Sequence, residues 1–100
     1  MLKYLLYMNK QSFSELQRIV WSFFNPKQVK AFVFGSQARG DADQTSDVDL
    51  ALEGNVNEVE LARLREALEE STLPYTVDVV DMSKVSEQFS HTAKKHMIAL

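Results

Sequence analysis

Phe34-Gly35-Ser36-Gln37-Ala38-Arg39-Gly40 and, after a polar loop, Ser46-Asp47-Val48-Asp49-Leu50-Ala51-Leu52 form the stretch that decides how this chain is read. An apolar run leads into a Gly-Ser turn. Ten residues separate Ser36 from Asp47, and a second apolar run then carries two aspartates spaced i, i+2. Side chains alternate along a strand, so Asp47 and Asp49 share one face while Val48 and Leu50 point the other way. Gly35 can take the backbone angles of a tight turn and lets an anion approach closely. If Ser36 to Arg39 opens a short helix, its free N–H groups face any phosphate placed there.

Upstream, Val29 to Phe34 is a short β-prone run with apolar residues on both faces near its end, as in a strand covered on both sides. Before it, Phe13, Leu16, Val20, Phe23 and Phe24 recur at helical spacing. Ser12 and Glu15 fit a capping box, which predicts a helix from Phe13 to Phe24, stopped by Asn25-Pro26. The aromatic stripe reads as core packing. Downstream, Gly54-Asn55 ends the second strand. Asn57 and Glu60 fit a second capping box, and Leu61, Leu64 and Leu68 form one apolar helix face running to Glu70, with Arg65 and Glu69 outside. Ser71 to Pro74 is an exit turn, and Tyr75 to Val80 reads as a third strand with Asp78 in its middle. Asp81 lies an odd number of residues from Asp78, so it faces away or ends the strand. A last helix is expected from Val85 to the end, with Phe89, Ala93 and Met97 on one face.

Strands alternate with helices, which implies an α/β or α+β chain with a small mixed β-sheet of at least three strands flanked by helices. At 100 residues, one domain spanning 1–100 is expected. Apolar residues make up 45% and charged residues 25%, an ordinary globular balance, and no cysteine is present, so disulfides and thiolate metal sites are excluded. The net charge of −3 lacks the broad basic footprint of a nucleic-acid binder, so no direct nucleic-acid binding is expected. The apolar start, Met1 to Met8, is too short to span a bilayer and lacks the marks of a signal peptide, so no membrane association and a cytoplasmic placement are expected.

If the third strand neighbours the second, Asp47, Asp49 and Asp78 could converge. Clustered carboxylates repel, and a hard divalent cation relieves that repulsion. Oxygen ligands alone favour Mg²⁺, which commonly rides on substrate phosphates, and two ions suit nucleotidyl transfer. Gly35 and Ser36 could hold the terminal phosphates of a nucleoside triphosphate. Arg39 either neutralises charge there or pairs with a loop aspartate. Other motifs fall short. Gly-x-x-x-x-Gly-Lys-Ser/Thr is absent, so the turn is not a P-loop. Asp41-Ala42-Asp43 lacks the glycine and terminal glutamate of a calcium loop. His91 and His96, five residues apart on the final helix, fall on different faces and read as surface residues.

Gly-Ser, ten residues, then Asp-x-Asp resembles the signature of the DNA polymerase β-like nucleotidyltransferase superfamily. The fuller Gly35-Ser36-Gln37-Ala38-Arg39-Gly40…Ser46-Asp47-Val48-Asp49-Leu50 is similar to its minimal nucleotidyltransferase (MNT) branch, and the likeness extends to Asp78 in Thr76-Val77-Asp78-Val79-Val80-Asp81. The resemblance implies a nucleotidyltransferase fold, triphosphate binding by Gly35 and Ser36, and metal ligation by Asp47 and Asp49. Asp78 would complete the metal site and help deprotonate the acceptor hydroxyl. It further implies an antitoxin that uses ATP and Mg²⁺ to transfer AMP to a tyrosine of a HEPN ribonuclease toxin encoded nearby. Two alternatives stay open: nucleotidyl transfer to a small molecule together with a partner subunit, and a non-catalytic module that blocks a toxin sterically.

Overall fold

The computed structural model describes residues 8–35, 38 and 47–100. The predicted N-terminal arm before Met8, Ser36, Arg39 and the polar loop Asp41 to Thr45 lie outside the described residues.

The first helix, α1, spans Lys10–Trp21. Its N-cap is Asn9, whose side-chain oxygen accepts from the Ser12 N–H at 2.8 Å. The expected Ser12–Glu15 capping box is therefore replaced by a cap three residues earlier. Ser12 sits inside the first turn and is buried, and the Glu15 carboxylate pairs instead with Arg18, one turn on. The cause is chemical: Asn caps a helix as well as Ser does, and Lys10-Gln11 carry no apolar signal to mark the extra turn. The helix also stops at Trp21, where the Ser22 hydroxyl donates back to the Ile19 carbonyl at 2.6 Å, so Phe23 and Phe24 lie in the following turn.

The strands are β1 (Val29–Phe34), β2 (Val48–Gly54), β3 (Val77–Asp81) and a two-residue β4 (Ile98–Ala99). Between β2 and β3 runs α2 (Glu58–Glu70), capped by the Asn57 side chain, which accepts from the N–H groups of Val59 and Glu60. The Glu60 carboxylate accepts from Arg63 at 3.1 Å rather than reaching back to the cap. Arg65, on the outer face, donates to the Val79 carbonyl of β3 at 2.7 Å.

After β3 the chain makes a 3-10 turn, Met82–Lys84, then α3 (Glu87–Ala93), capped by Ser86. The expected helix from Val85 to the end is corrected here: it ends at Ala93, and Ile98–Ala99 pairs antiparallel with Phe32 and Val33 of β1. Leu100 N–H donates to the Ala31 carbonyl at 2.9 Å. A partner strand across the sheet outweighs the helical spacing of Phe89, Ala93 and Met97. Of those three only Ala93 is buried.

The sheet order is β3-β2-β1-β4. β1 pairs antiparallel with β2 and β4, and β2 pairs parallel with β3, so the sheet is mixed. One face carries Val29, Ala31 and Val33 of β1, Val48, Leu50 and Leu52 of β2, and Val79 of β3. These pack with Leu16, Ile19 and Val20 of α1 and Leu61, Leu64 and Leu68 of α2. Each leucine so buried contributes about 2 kcal/mol of transfer free energy. A smaller cluster of Phe32, Phe34, Ala51, Met82 and Ala93 lies on the opposite face. Among the described residues no helix is long and apolar enough to cross a membrane.

Candidate active site

Asp49 and Asp78 lie on the same face as the smaller cluster, level with Phe34. In the β2–β3 pairing Asp49 stands directly opposite Asp78, and in the β1–β2 pairing it stands opposite Phe34. Phe34, Asp49 and Asp78 therefore form one row across three neighbouring strands, spaced about 4.8 Å apart. The condition the sequence imposed, that the third strand neighbour the second, is met. Asp49 is half-buried at the centre of the row, and Asp78 is exposed on the edge strand.

Asp47 is exposed and immediately precedes β2. The next residue, Val48, donates its N–H to the Thr76 carbonyl at 2.9 Å, which sets Asp47 at the mouth of the β2–β3 pair. Among the described residues no three Asp, Glu or His side chains stand close enough to hold a metal ion. The three acids thus line one end of two strands and do not form a preformed cage.

Gly35 closes the site from the β1 side. Its φ is +74°, a left-handed conformation that side chains other than glycine's adopt at a cost. A Cβ here would also lie 2.4 Å from the Asp49 carboxylate oxygen Oδ2. Glycine is required twice, once for the turn and once for the space beside the central acid. Of the segment that follows, Ala38 is helical and buried; the predicted phosphate-binding Ser36 and Arg39 lie outside the described residues.

The donor set is carboxylate oxygen with no sulfur, and Gly35 lets the Asp49 carboxylate lie directly against the turn. Two neighbouring carboxylates joined by phosphate oxygens suit Mg²⁺, which keeps waters and takes few protein ligands. The residues present therefore fit the ion that the sequence suggested.

Asp81 takes no part in this row. It ends β3, is buried, and accepts from the Ser83 N–H at 3.0 Å and the Ser83 hydroxyl at 2.8 Å, which makes it the cap of the 3-10 turn. His91 and His96 are both exposed, His91 on α3 and His96 beyond it. Sequence reasoning missed the aromatic side of the site. The Phe34 and Phe89 rings meet edge to face, with centroids 5.8 Å apart, and Phe89 is 41% exposed; the sequence sets it only on one helix face with Ala93 and Met97. The one signal was its position three residues after Ser86, which caps α3 by accepting the Phe89 N–H.

A mixed sheet with α1 and α2 on one face, and a glycine turn beside paired strand carboxylates on the other, defines a protein built as a nucleotidyltransferase. Residues 17–100 match the family described as "Polymerase beta, Nucleotidyltransferase", and the chain belongs to that family. It is 37% identical over 71 residues to the "Probable protein adenylyltransferase MntA" of Haemophilus influenzae, covering 69% of this chain and 62% of that relative's length. Among solved structures, it superposes with a TM-score of 0.68 and 19% identity on a chain of the Shewanella oneidensis tri-AMPylated HEPN toxin in complex with MNT antitoxin. That match covers 92% of this chain and 71% of the other. A protein assigned as a minimal nucleotidyltransferase matches with a TM-score of 0.69 and 25% identity over 91% of this chain and 94% of its own.

Proposed function

We propose that this chain is a Mg²⁺-dependent nucleotidyltransferase that transfers AMP from ATP to a tyrosine hydroxyl of a cognate HEPN ribonuclease toxin, and so acts as its antitoxin. The observation that carries the reading is the Asp49–Asp78 pairing with Gly35 held against Asp49. The Haemophilus relative, an adenylyltransferase by name, and the fold shared with an MNT–HEPN complex support the acceptor class.

In this reading Gly35 and Ser36 receive the triphosphate on backbone N–H groups, with Arg39 neutralising charge beside them. Asp47 and Asp49 hold Mg²⁺, and Asp78 completes its ligand set. When bound, the ion stabilises charge on the phosphate oxygens and lowers the pKa of the attacking hydroxyl. The acceptor oxygen attacks the α-phosphorus, the bond from that phosphorus to the bridging oxygen breaks, and pyrophosphate leaves. Asp78, at the open edge of the sheet, takes the acceptor's proton. Positioning and fixed charge do most of the work in such a transfer, so a small scaffold suffices.

The test is incubation with labelled ATP, Mg²⁺ and the product of the adjacent gene. Label is expected on the partner protein and is expected to disappear in Asp47→Asn. Label on a small molecule alone would replace the protein acceptor with a metabolite. Toxin neutralisation that survives Asp47→Asn and Asp49→Asn together would make the chain a steric blocker.

A further inference from the structure

Thr76 precedes β3 by one residue, and its carbonyl accepts the Val48 N–H at 2.9 Å, so the contact of β2 with β3 starts there. Burial alternates through this stretch. Tyr75, Val77 and Val79 pack with the main core, while Thr76 and Asp78 are exposed. Thr76 and Asp78 therefore share the face that carries Asp49. The register pairs Val48 with Val77, so one step back Asp47 stands across from Thr76. The backbone at Thr76 is about 6.6 Å from Asp78 along the strand and about 4.8 Å from Asp47 across it. Thr76 and Asp78 also line one cleft of about 340 Å³ between α2 and β3, with Arg65, Glu69 and Leu73. An exposed hydroxyl thus stands beside two of the acids, at the edge of the sheet.

We propose that Thr76 is an acceptor-binding residue, whose hydroxyl hydrogen-bonds the acceptor segment and holds the attacking oxygen against Asp78. The inference rests on the nucleotidyl-transfer reading and deepens it. In phosphoryl chemistry the attacking and leaving oxygens lie roughly in line through phosphorus. With the terminal phosphates at the Gly35 turn, pyrophosphate departs toward β1. The acceptor then comes in from the opposite side of β2, which is β3. β3 is the outer strand, and the polar side chains it offers on this face are Thr76 and Asp78. The two divide the work by their chemistry. Asp78 takes the acceptor's proton, and Thr76 keeps its own. A threonine hydroxyl both donates and accepts, which suits the main-chain amide groups that a polypeptide acceptor carries beside its own hydroxyl. Thr76 therefore sets how well the acceptor is held and contributes little to how tightly the nucleotide binds.

The experiment measures AMP transfer from labelled ATP, with Mg²⁺, to the product of the adjacent gene at varied concentrations of that protein. It compares the full chain with Thr76→Val, which keeps the branched shape and loses the hydroxyl, and with Thr76→Ser, which keeps the hydroxyl. Dissociation constants for ATP and melting curves of all three proteins accompany the rates. Thr76→Val is expected to lower kcat/KM for the partner protein about fivefold, the loss of one hydrogen bond, and to leave ATP binding within about twofold. Thr76→Ser is expected to restore most of the transfer. Unchanged transfer in Thr76→Val would overturn the proposal. An equal loss of ATP binding would overturn it as well, because the hydroxyl would then serve the nucleotide. Thr76→Ser behaving like Thr76→Val would do the same, and would assign the effect to the methyl group. A parent protein that binds ATP but labels no acceptor would instead sink the nucleotidyl-transfer reading beneath it.

Discussion

The two faces of β2 carry residues of opposite kind. Val48, Leu50 and Leu52 are sealed from water beneath α1 and α2. One residue out of step, Asp49 sits on the other face, between Phe34 and Asp78. The period of two along one strand separates the residues that hold the sheet together from those proposed to meet substrate. Damage to one face should therefore leave the duty of the other nearly intact.

The sharpest break in that symmetry is Asp49→Asn. AMP transfer is expected to fall about a thousandfold, equivalent to about 4 kcal/mol of barrier, while the unfolding midpoint moves little. Labelled-ATP turnover beside a melting curve checks both halves. The converse case is Leu50→Ala. It should lower stability by about 3 kcal/mol in a urea titration, and the fraction that remains folded should transfer AMP normally. A loss of activity in the folded fraction would mean that the two faces are coupled. Gly35→Ala probes the place where the faces meet. Left-handed strain costs about 1–2 kcal/mol, and the new methyl group displaces the Asp49 carboxylate. Activity should therefore fall by more than the stability loss explains.

The smallest effect lies away from both faces. The exposed Glu58 carboxylate hydrogen-bonds and ion-pairs with Lys84, which holds it below its ordinary 4.5. A depressed carboxylate stabilises the fold above its unfolded value, and that contribution is lost as pH falls through the folded one. Lys84→Met should lower the melting temperature slightly at neutral pH and low salt, and the gap should close below pH 4.5 or in high salt. A gap that persists in acid would point to packing by the lysine stem.

What could be read in advance follows the same division. β1 and the acid-bearing β2 were legible because alternation and the Gly-Ser turn are local signals, and β1 keeps its expected ends at Val29 and Phe34. The start of α1 was misplaced because Asn9 caps from beyond a polar turn that shows no periodicity. β4 was invisible for a different reason. Two residues cannot display a period, and Ile98–Ala99 is a strand only because Phe32 and Val33 lie beside it. On the site, the adjacency of Asp49 and Asp78 was open to inference from strand order. The Phe34–Phe89 contact depends on where α3 ends, which the apolar spacing of the last segment misreported.

The Arg65 hydrogen bond to Val79 has a consequence for how copies of this chain behave when concentrated. β3 is the outer rim of the sheet, and a bare rim offers main-chain groups to any passing strand. By alternation with the Thr76 carbonyl, which bonds inward to Val48, the Val79 carbonyl points outward. Arg65 occupies it, and Asp78 sets a negative charge next to it along the same rim. The rim is thereby guarded against stacking into fibres by a cation clamp and by one of the acids proposed to meet substrate.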